Sequence, residues 1–374
     1  MVNFLYFYDM LKAYKYRLYP TSTQANLLAK HFGHCRFIYN YFLGKSITEF
    51  KENNRSWNRF EYQSEIPKMK KTDQPWLKEV NSLSLQASLK NLDTSFKNFF
   101  NQKLKAKFPS FKSKRSKQSF SVPQNVRIQE GKLIIPKFLE GIRTCFHRKT
   151  SGKIRSATLS RTADGRHYVS ILCETKIKVL PKTGKTVGID LGLTTLATLS
   201  DGFTFKNHRT VNIFEKKLAQ AQRHLSRKTI GSNRREKQRL KVARLHRKIS
   251  NIRNDYTHKM TKYLVENYDV ICMEDLNTKG LLRNHKLAKH ISNAAWGRIK
   301  EQLKYKSEWY GKVLIMVNRY FPSSKLDYDC GYKNEISLSD RKFICQGCGR
   351  IINRDLNAAK NIHHEGLKNI LPER

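Results

Sequence analysis

The chain has 374 residues, 39% of them hydrophobic and 11% aromatic, with 73 Lys+Arg against 30 Asp+Glu for a formal net charge of +43. The apolar content excludes a disordered chain, and the length suits two or three domains with one insertion. The charge strains a compact fold by self-repulsion, so it points to a long nucleic acid bound over a broad surface rather than one short duplex site. A merely basic, ribosomal-type binding protein is the plain alternative.

The start, Met1 to Met10, is apolar but short and lacks a basic leader, which makes a poor signal peptide; Met10 is an alternative start. No run approaches the ~20 apolar residues of a spanning helix. Residues 12–19 alternate and are rich in Tyr, as a strand would be, and Pro20 ends them. Thr21 or Ser22 can cap a helix through Gln24, Leu27 and Leu28, and a second helix is expected over Cys35, Phe37, Ile38, Tyr39, Tyr41 and Phe42. Residues 80–104 read as a helix whose Leu83, Leu85, Leu89, Leu92, Phe96, Phe99 and Phe100 face a core rather than stack on bases. The following loop, 103–118, interleaves Lys with Phe108 and Phe111, a pattern that suits backbone contacts plus stacking or a solvated linker. Short alternating runs over 119–180, with a hairpin signal at Asp164-Gly165, read as a small β-barrel or sandwich that also takes in the strand at 12–19.

From Thr183 the character changes. TVGIDLGLTTLATLSDG reads as strand, tight turn, strand, and 211–267 as two long helices broken at Ile230–Asn233. In the second of these, Val242, Leu245, Ile249, Ile252 and Tyr256 form one apolar stripe. Residues 221–250 hold eleven Lys/Arg against one acid, Glu236, and like charges on a helix repel, so this face is expected to contact phosphates. Residues 313–321 read as a strand, and a short helix from Asn357 to Ile362 or a little beyond closes the chain.

Three carboxylates stand out. Asp190 ends the apolar strand Val187-Gly188-Ile189, Glu274 ends Val270–Met273, and Asp355 opens the last helix in NRDLNAAKNI. Acids at the ends of buried strands suit a metal site better than a core. Two Mg²⁺ or Mn²⁺ ions need bridging and terminal carboxylates to hydrolyse a phosphodiester. Asp275 would face the other way on a strand and is left out.

The seven cysteines, an odd number with three near the C-terminus, suggest reduced cytosol and a metal knuckle. Cys345-Gln-Gly-Cys348 is a CxxC pair with Cys330 upstream, and the position of a fourth zinc ligand is held by Asp327, with Asp329 as a substitute. A degenerate ribbon that folds without metal is the alternative.

Together these residues resemble the TnpB (OrfB) family of insertion-sequence proteins, related to type V CRISPR effectors. The likeness spans roughly 12–370 and rests on KAYKYRLYPTSTQ, GHCRFIYN, KFPSFKSK, VGIDLGLTTLATLSDG, ICMEDL, SSKLDYDCG, FICQGCG and NRDLNAAKNI. The resemblance implies an RNA-guided DNA endonuclease: a monomer in a cytoplasmic, nucleoid-associated complex, with a guide RNA from the element end and double-stranded target DNA as partners. It implies a mixed α/β chain, with a wedge β-barrel (1–20 and 104–182), an inserted helical recognition domain (21–103), and a RuvC-like, RNase H-type nuclease domain (183–374) carrying a zinc-ribbon-like insertion at about 322–350. Asp190, Glu274 and Asp355 match the catalytic positions. Cys330, Cys345, Cys348 and Asp327 match the zinc set, with Asp327 where a Cys is expected and Asn353 where many members have Asp. Lys112, Lys114, Arg115, Arg234 and Arg235 are the candidate backbone contacts. A guide–target duplex gripped by its backbone needs a broad basic channel of this kind. The rival readings are an RNA-guided DNA-binding regulator that does not cut, a transposition-associated DNA-binding protein or transposase, and a junction resolvase.

Overall fold

The computed structural model describes residues 7–207, 209–281, 283–284, 288–337 and 340–368. The apolar start before Phe7 lies outside them. The chain divides into two compact units, Asp9–Lys176 and a second from Ile177 onward.

The first unit combines a sheet and helices. Strand β1 (Phe7–Tyr19) alternates as its sequence requires, with Tyr14, Tyr16 and Leu18 buried. Helix α1 (Ser22–Asn53) starts with a reciprocal cap: the Thr21 hydroxyl accepts from the Gln24 N–H, and Gln24 Oε1 accepts from the Thr21 N–H. The two helices expected here are one, because Gly33 sits in the interior with open space around it and the apolar stripe runs on from Leu28 through Phe32, Cys35 and Phe42. Helices α2 (Arg59–Lys71) and α3 (Ser82–Phe100) pack with it; α2 was not legible in the sequence. Strands β2 (Gln118–Val122), β3 (Arg127–Gln129), β4 (Lys132–Ile135), β5 (Phe138–Cys145), β6 (Lys153–Arg161) and β7 (His167–Lys178) complete a seven-stranded sheet in the order β2-β6-β7-β1-β5-β4-β3. This sheet is open: β2 and β3 are its edges, and no ladder joins them among the described residues. The sheet expected to close into a barrel is therefore open among the described residues.

The second unit has a five-stranded sheet, order β10-β9-β8-β11-β12. Its strands are β8 (Thr186–Asp190), β9 (Thr195–Leu199), β10 (Thr204–Lys206), β11 (Val270–Glu274) and β12 (Val313–Val317). The first three are antiparallel, while β11 runs parallel to both β8 and β12. Helices α4 (Arg209–Ser226) and α5 (Asn233–Asn267) are the two long helices expected over 211–267, and they pack against each other. Short α6 (Thr278–Leu281) and α7 (Ala288–Ala294) lead to α8 (Trp296–Tyr310), and β13 (Lys342–Ile344) and β14 (Ile351–Asn353) precede the final α9 (Arg354–Lys368). The sequence gives little warning of α8, because its buried stripe, Trp296, Ile299 and Leu303, is interrupted by Gln302 and Lys306, which bury themselves by bonding to α5.

Side-chain alternation assigns the two faces of this sheet. Val187, Ile189, Ile271 and Met273 join a core with Met260, Leu264 and Val265 of α5 and Ile299 and Leu303 of α8. The intervening Gly188 and Cys272 face α9: a Cβ at Gly188 would stand 2.2 Å from the Ala359 carbonyl oxygen, and one at Gly366 would stand 2.4 Å from Cys272 Sγ. Both contacts are closer than any side-chain carbon tolerates, so glycine at each point sets how near α9 lies to the strands. Gly188→Ala should therefore lower the denaturation midpoint by the equivalent of about 2 kcal/mol or more. Gly33→Ala, made in open space, should be neutral or gain about 0.5–1 kcal/mol. Equal effects of the two substitutions in urea titrations would refute the close-approach argument.

Candidate active site and metal knuckle

The same alternation that turns Gly188 and Cys272 toward α9 turns Asp190 and Glu274 the same way, two residues further along each strand. The parallel ladder pairs Gly188 with Cys272 and Ile189 with Met273, so the next pair is Asp190 and Glu274. Helix α9 then delivers Asp355 in its first turn. Its start is fixed by Asn353, whose side-chain oxygen accepts the Leu356 N–H at 3.1 Å. Asn caps a helix as well as Asp does, which accounts structurally for the departure at this position.

Asp190 feels both of the other acids. Burial, then the charges of Asp355 and Glu274, push the Asp190 carboxyl up to about 7, against the opposing charge of Arg354 and the N–H of Leu191. Burial pushes Glu274 up to about 6. Asp190 and Glu274, at the ends of adjacent strands, and Asp355, whose charge acts on Asp190, stand on the side of the sheet that α9 covers, and carboxylate oxygens are the donors a hard divalent ion takes. Asp275 is not part of it. Its carboxylate is ion-paired with Lys300 and, at 2.9 Å, with Arg319, and the Lys300 hydrogen bond above all holds its pKa low. These groups line a cleft of about 320 Å³ beside Glu274. Arg354 had drawn no notice in the sequence; its guanidinium donates to the Ser337 carbonyl at 2.9 Å, and its charge acts on Asp190.

The cysteine loop is tied to the same helix. Asp327, Cys330, Cys345 and Cys348 bring ligand atoms within 4.8 Å of one another. Asp327 Oδ1 accepts the N–H groups of Asp329 and Cys330, while the buried Oδ2 has no partner, an orphan acceptor aimed where a cation would satisfy it. Cys330 and Cys345 sulfurs lie 3.5 Å apart, near the roughly 3.8 Å of two thiolates on one tetrahedral zinc. The donor set therefore fits zinc. Asp329, the substitute considered from the sequence, is instead ion-paired with Arg350. Asn334 supports the knuckle, accepting the Gln346 N–H at 2.7 Å and donating to Cys345 Sγ at 3.8 Å. Two buried asparagines of α9 hold the loop: Asn357 accepts from the Tyr328 N–H, and Asn357 and Asn361 both donate to the Leu326 carbonyl. Their role was not visible in NRDLNAAKNI; a polar residue recurring at helical spacing on a buried face was the available signal.

The suggested backbone contacts differ in setting. Lys114 and Arg115 are exposed in the loop after α3. The Lys112 peptide is held on both sides by Asn40, and its ammonium lies 3.6 Å from the Tyr39 ring centroid. Arg234 is exposed in the first turn of α5. Arg235 is committed elsewhere, donating to the Leu225 and Lys228 carbonyls at 2.9 and 2.8 Å, where it pins the end of α4 against α5.

A Streptomyces pristinaespiralis protein provisionally named an RNA-guided DNA endonuclease is 38% identical over 362 residues, covering 95% of this chain and 89% of that one. The chain belongs to the TnpB (OrfB) family. Escherichia coli InsQ, named in the same provisional way, is 34% identical, with 94% of this chain and 91% of that one covered. Family models match in three stretches: a helix-turn-helix domain at 10–55, a probable transposase at 168–285, and a Cas12f1-like TNB domain at 296–362. In this member, residues 22–53 of the first stretch form one unbroken helix. The fold is also that of Cas12f1, solved in a complex with single-guide RNA and target DNA: the TM-score is 0.59 at 12% identity, over 95% of this chain and 99% of that one.

Two outcomes test the site. In the metal-free protein Asp190 holds its proton up to about 7 when folded but only to about 3.8 when unfolded. The folded state therefore binds more protons between those values, and its stability falls as pH rises from about 4 to about 7. Asp190→Asn should flatten that slope, leaving the part below about pH 6 that Glu274 contributes, and stabilise the metal-free protein at pH 8 by on the order of 2 kcal/mol, and Mg²⁺ should raise the melting temperature of the parent more than of the variant. An unchanged slope would separate Asp190 from the other two acids. In the knuckle, elemental analysis should find about one zinc per chain, reduced by Asp327→Ala and lost in Cys345→Ser. Zinc retained in Cys345→Ser would place the metal elsewhere.

Proposed function

We propose that the protein is an RNA-guided DNA endonuclease of transposon origin that cuts DNA at Asp190, Glu274 and Asp355. The observation that carries this is the strand register that sets Asp190 beside Glu274 on the sheet face covered by the helix bearing Asp355. The names of the two relatives, and the guide RNA and target DNA in the complex of the structural neighbour, support the choice of partners.

In this reading the three carboxylates hold Mg²⁺ or Mn²⁺, which when bound supplies Lewis acidity at the scissile phosphate. The chain's own contribution is positional. Parallel pairing fixes two acids and the Asn353 cap fixes the third; the knuckle, whose Asp327, Cys330, Cys345 and Cys348 would hold zinc, is tied to the same helix by Asn357 and Asn361. The first unit corresponds to the wedge and recognition parts, the second to the RuvC-like nuclease with its zinc-ribbon-like insertion. Exposed Lys114, Arg115 and Arg234, and Lys112 on its tyrosine, grip the backbone of the guide–target duplex. Arg235 shapes the α4–α5 hairpin that presents Arg234.

The protein should be co-expressed with its flanking DNA, purified, and supplied with Mg²⁺ and plasmids carrying a target matched to the co-purifying RNA. Matched targets should be cut, and Asp190→Ala should lower the rate by at least about a thousandfold while leaving RNA bound. Bound RNA with no cutting by the parent would leave a DNA-binding regulator. Cutting of branched DNA without RNA would make it a resolvase.

A further inference from the structure

The first unit contains a second cavity, unrelated to the carboxylates. It has a volume of about 630 Å³ and is walled by aromatic rings: Phe50, Trp57, Phe96, Phe99, Phe100 and Phe108. Phe96 roots the group in the core at 6% exposure, whereas Phe50, Phe100 and Phe108 are 59%, 69% and 46% exposed. The rings are ordered against one another. Phe96 lies between Trp57 (centroids 5.1 Å apart) and Phe100 (6.4 Å, planes 16° apart), and Phe108 sets its edge to Phe96 and Phe99. The sequence suggested that this helical stripe faces a core; its outer third opens into a recess.

An exposed apolar cluster of this size marks a binding surface, and its lining identifies the occupant. Lys51, Arg55 and Lys97 stand at the cavity, and Lys103, Lys105 and Lys107 precede Phe108 in the exposed loop. The single acid in the lining, Asp93, is taken up by the Trp57 indole N–H at 3.1 Å and by Lys97 at 3.1 Å. Ile47 is the only aliphatic residue among the lining side chains. Flat rings with cations around them suit a stacked base with its phosphates outside. A second copy of the chain would bring another +43 charge toward the same cations.

We infer that this cavity is a stacking pocket for an unpaired nucleobase of the bound RNA. The inference rests on the RNA-binding reading proposed above. RNA is favoured over duplex DNA because its loops offer unpaired bases for aromatic stacking, whereas the bases of a duplex are already stacked on one another. The base enters against the exposed faces of Phe100 and Phe108, and Lys51 and the loop lysines take the flanking phosphates, while Arg55 stays ion-paired with Glu61 at 2.7 Å.

The test uses the full chain with the RNA that co-purifies with it, re-transcribed with 5-iodouridine. Irradiation and peptide mass spectrometry should map an adduct to Trp57, Phe100 or Phe108. RNA binding should also quench Trp57 emission, read in a variant with Trp76, Trp296 and Trp309 replaced by Phe. Phe100→Ala with Phe108→Ala should weaken RNA binding roughly tenfold or more while leaving the slope of log affinity against log salt unchanged, because stacking is lost but no phosphate contact is. Phe100→Trp should keep the affinity, and both residues are exposed enough for the fold to survive, as an unaltered melting temperature would verify. An adduct mapping only outside the cavity, a full-affinity double alanine variant, a reduced salt slope, adducts only with iodinated target DNA, or a concentration-dependent doubling of mass lost on Phe100→Ala would each overturn the pocket. If matched DNA is cut while these readouts fail, the pocket alone is wrong; if the parent binds no RNA, both readings fall.

Discussion

The closeness of the last helix to two parallel strands governs the second unit. Gly188 lets the Ala359 backbone lie against β8, and Gly366 lets Cys272 fill the space beside β11. His363 adds a 2.7 Å hydrogen bond to the Thr186 hydroxyl. Because strand side chains alternate, fixing this face fixes which residues look at the helix, and the last on each strand are acids. Gathering Asp190, Glu274 and Asp355 costs energy: burial and mutual charge raise Asp190 far above its ordinary range. The apolar face on the other side of the sheet, packed on α5 and α8, offsets that cost. Stability and the site thus draw on opposite faces of the same strands.

The cysteine loop belongs to this arrangement as much as the strands do. Its four donors lie within 4.8 Å of one another, and Asp327 keeps one buried oxygen without a partner. Asn357 and Asn361 reach from α9 into the backbone of that loop. The loop and the helix that carries Asp355 therefore form one hydrogen-bonded body, and a disturbance of the knuckle reaches the third carboxylate through two amide side chains. A carboxylate in place of a thiolate gives a harder donor set, but its second oxygen is anchored by the Asp329 and Cys330 N–H groups, which pre-orients it.

The first unit solves a different problem. Its long capped helix and α3 bury Phe42, Leu89 and Leu92 against one another and against the sheet. It then leaves a set of phenyl rings at the edge, among lysines. The loop lysines beside this set are exposed, and the rings that could meet bases are held in place by a rooted partner, Phe96.

Local pattern determined a good deal. Alternation gave β1, an apolar strand ending in an acid gave Asp190 and Glu274, the Thr21 cap gave the start of α1, and the CxxC pair gave the knuckle with Asp327 as its fourth member. These are short-range signals, set by side-chain periodicity and backbone capping within a few residues. Other features needed the chain folded. That the sheet of the first unit is open, with β2 and β3 as its edges, is a relation between distant segments that alternation within each strand does not reveal. Helix α8 hides in the sequence because Gln302 and Lys306 are buried only once α5 supplies their partners. Arg235 looks like a surface cation until the end of α4 arrives beneath it. The sequence names three acids far apart in the chain; that they share one face is decided by strand register and by a glycine, both of which are relations between segments that no single segment contains.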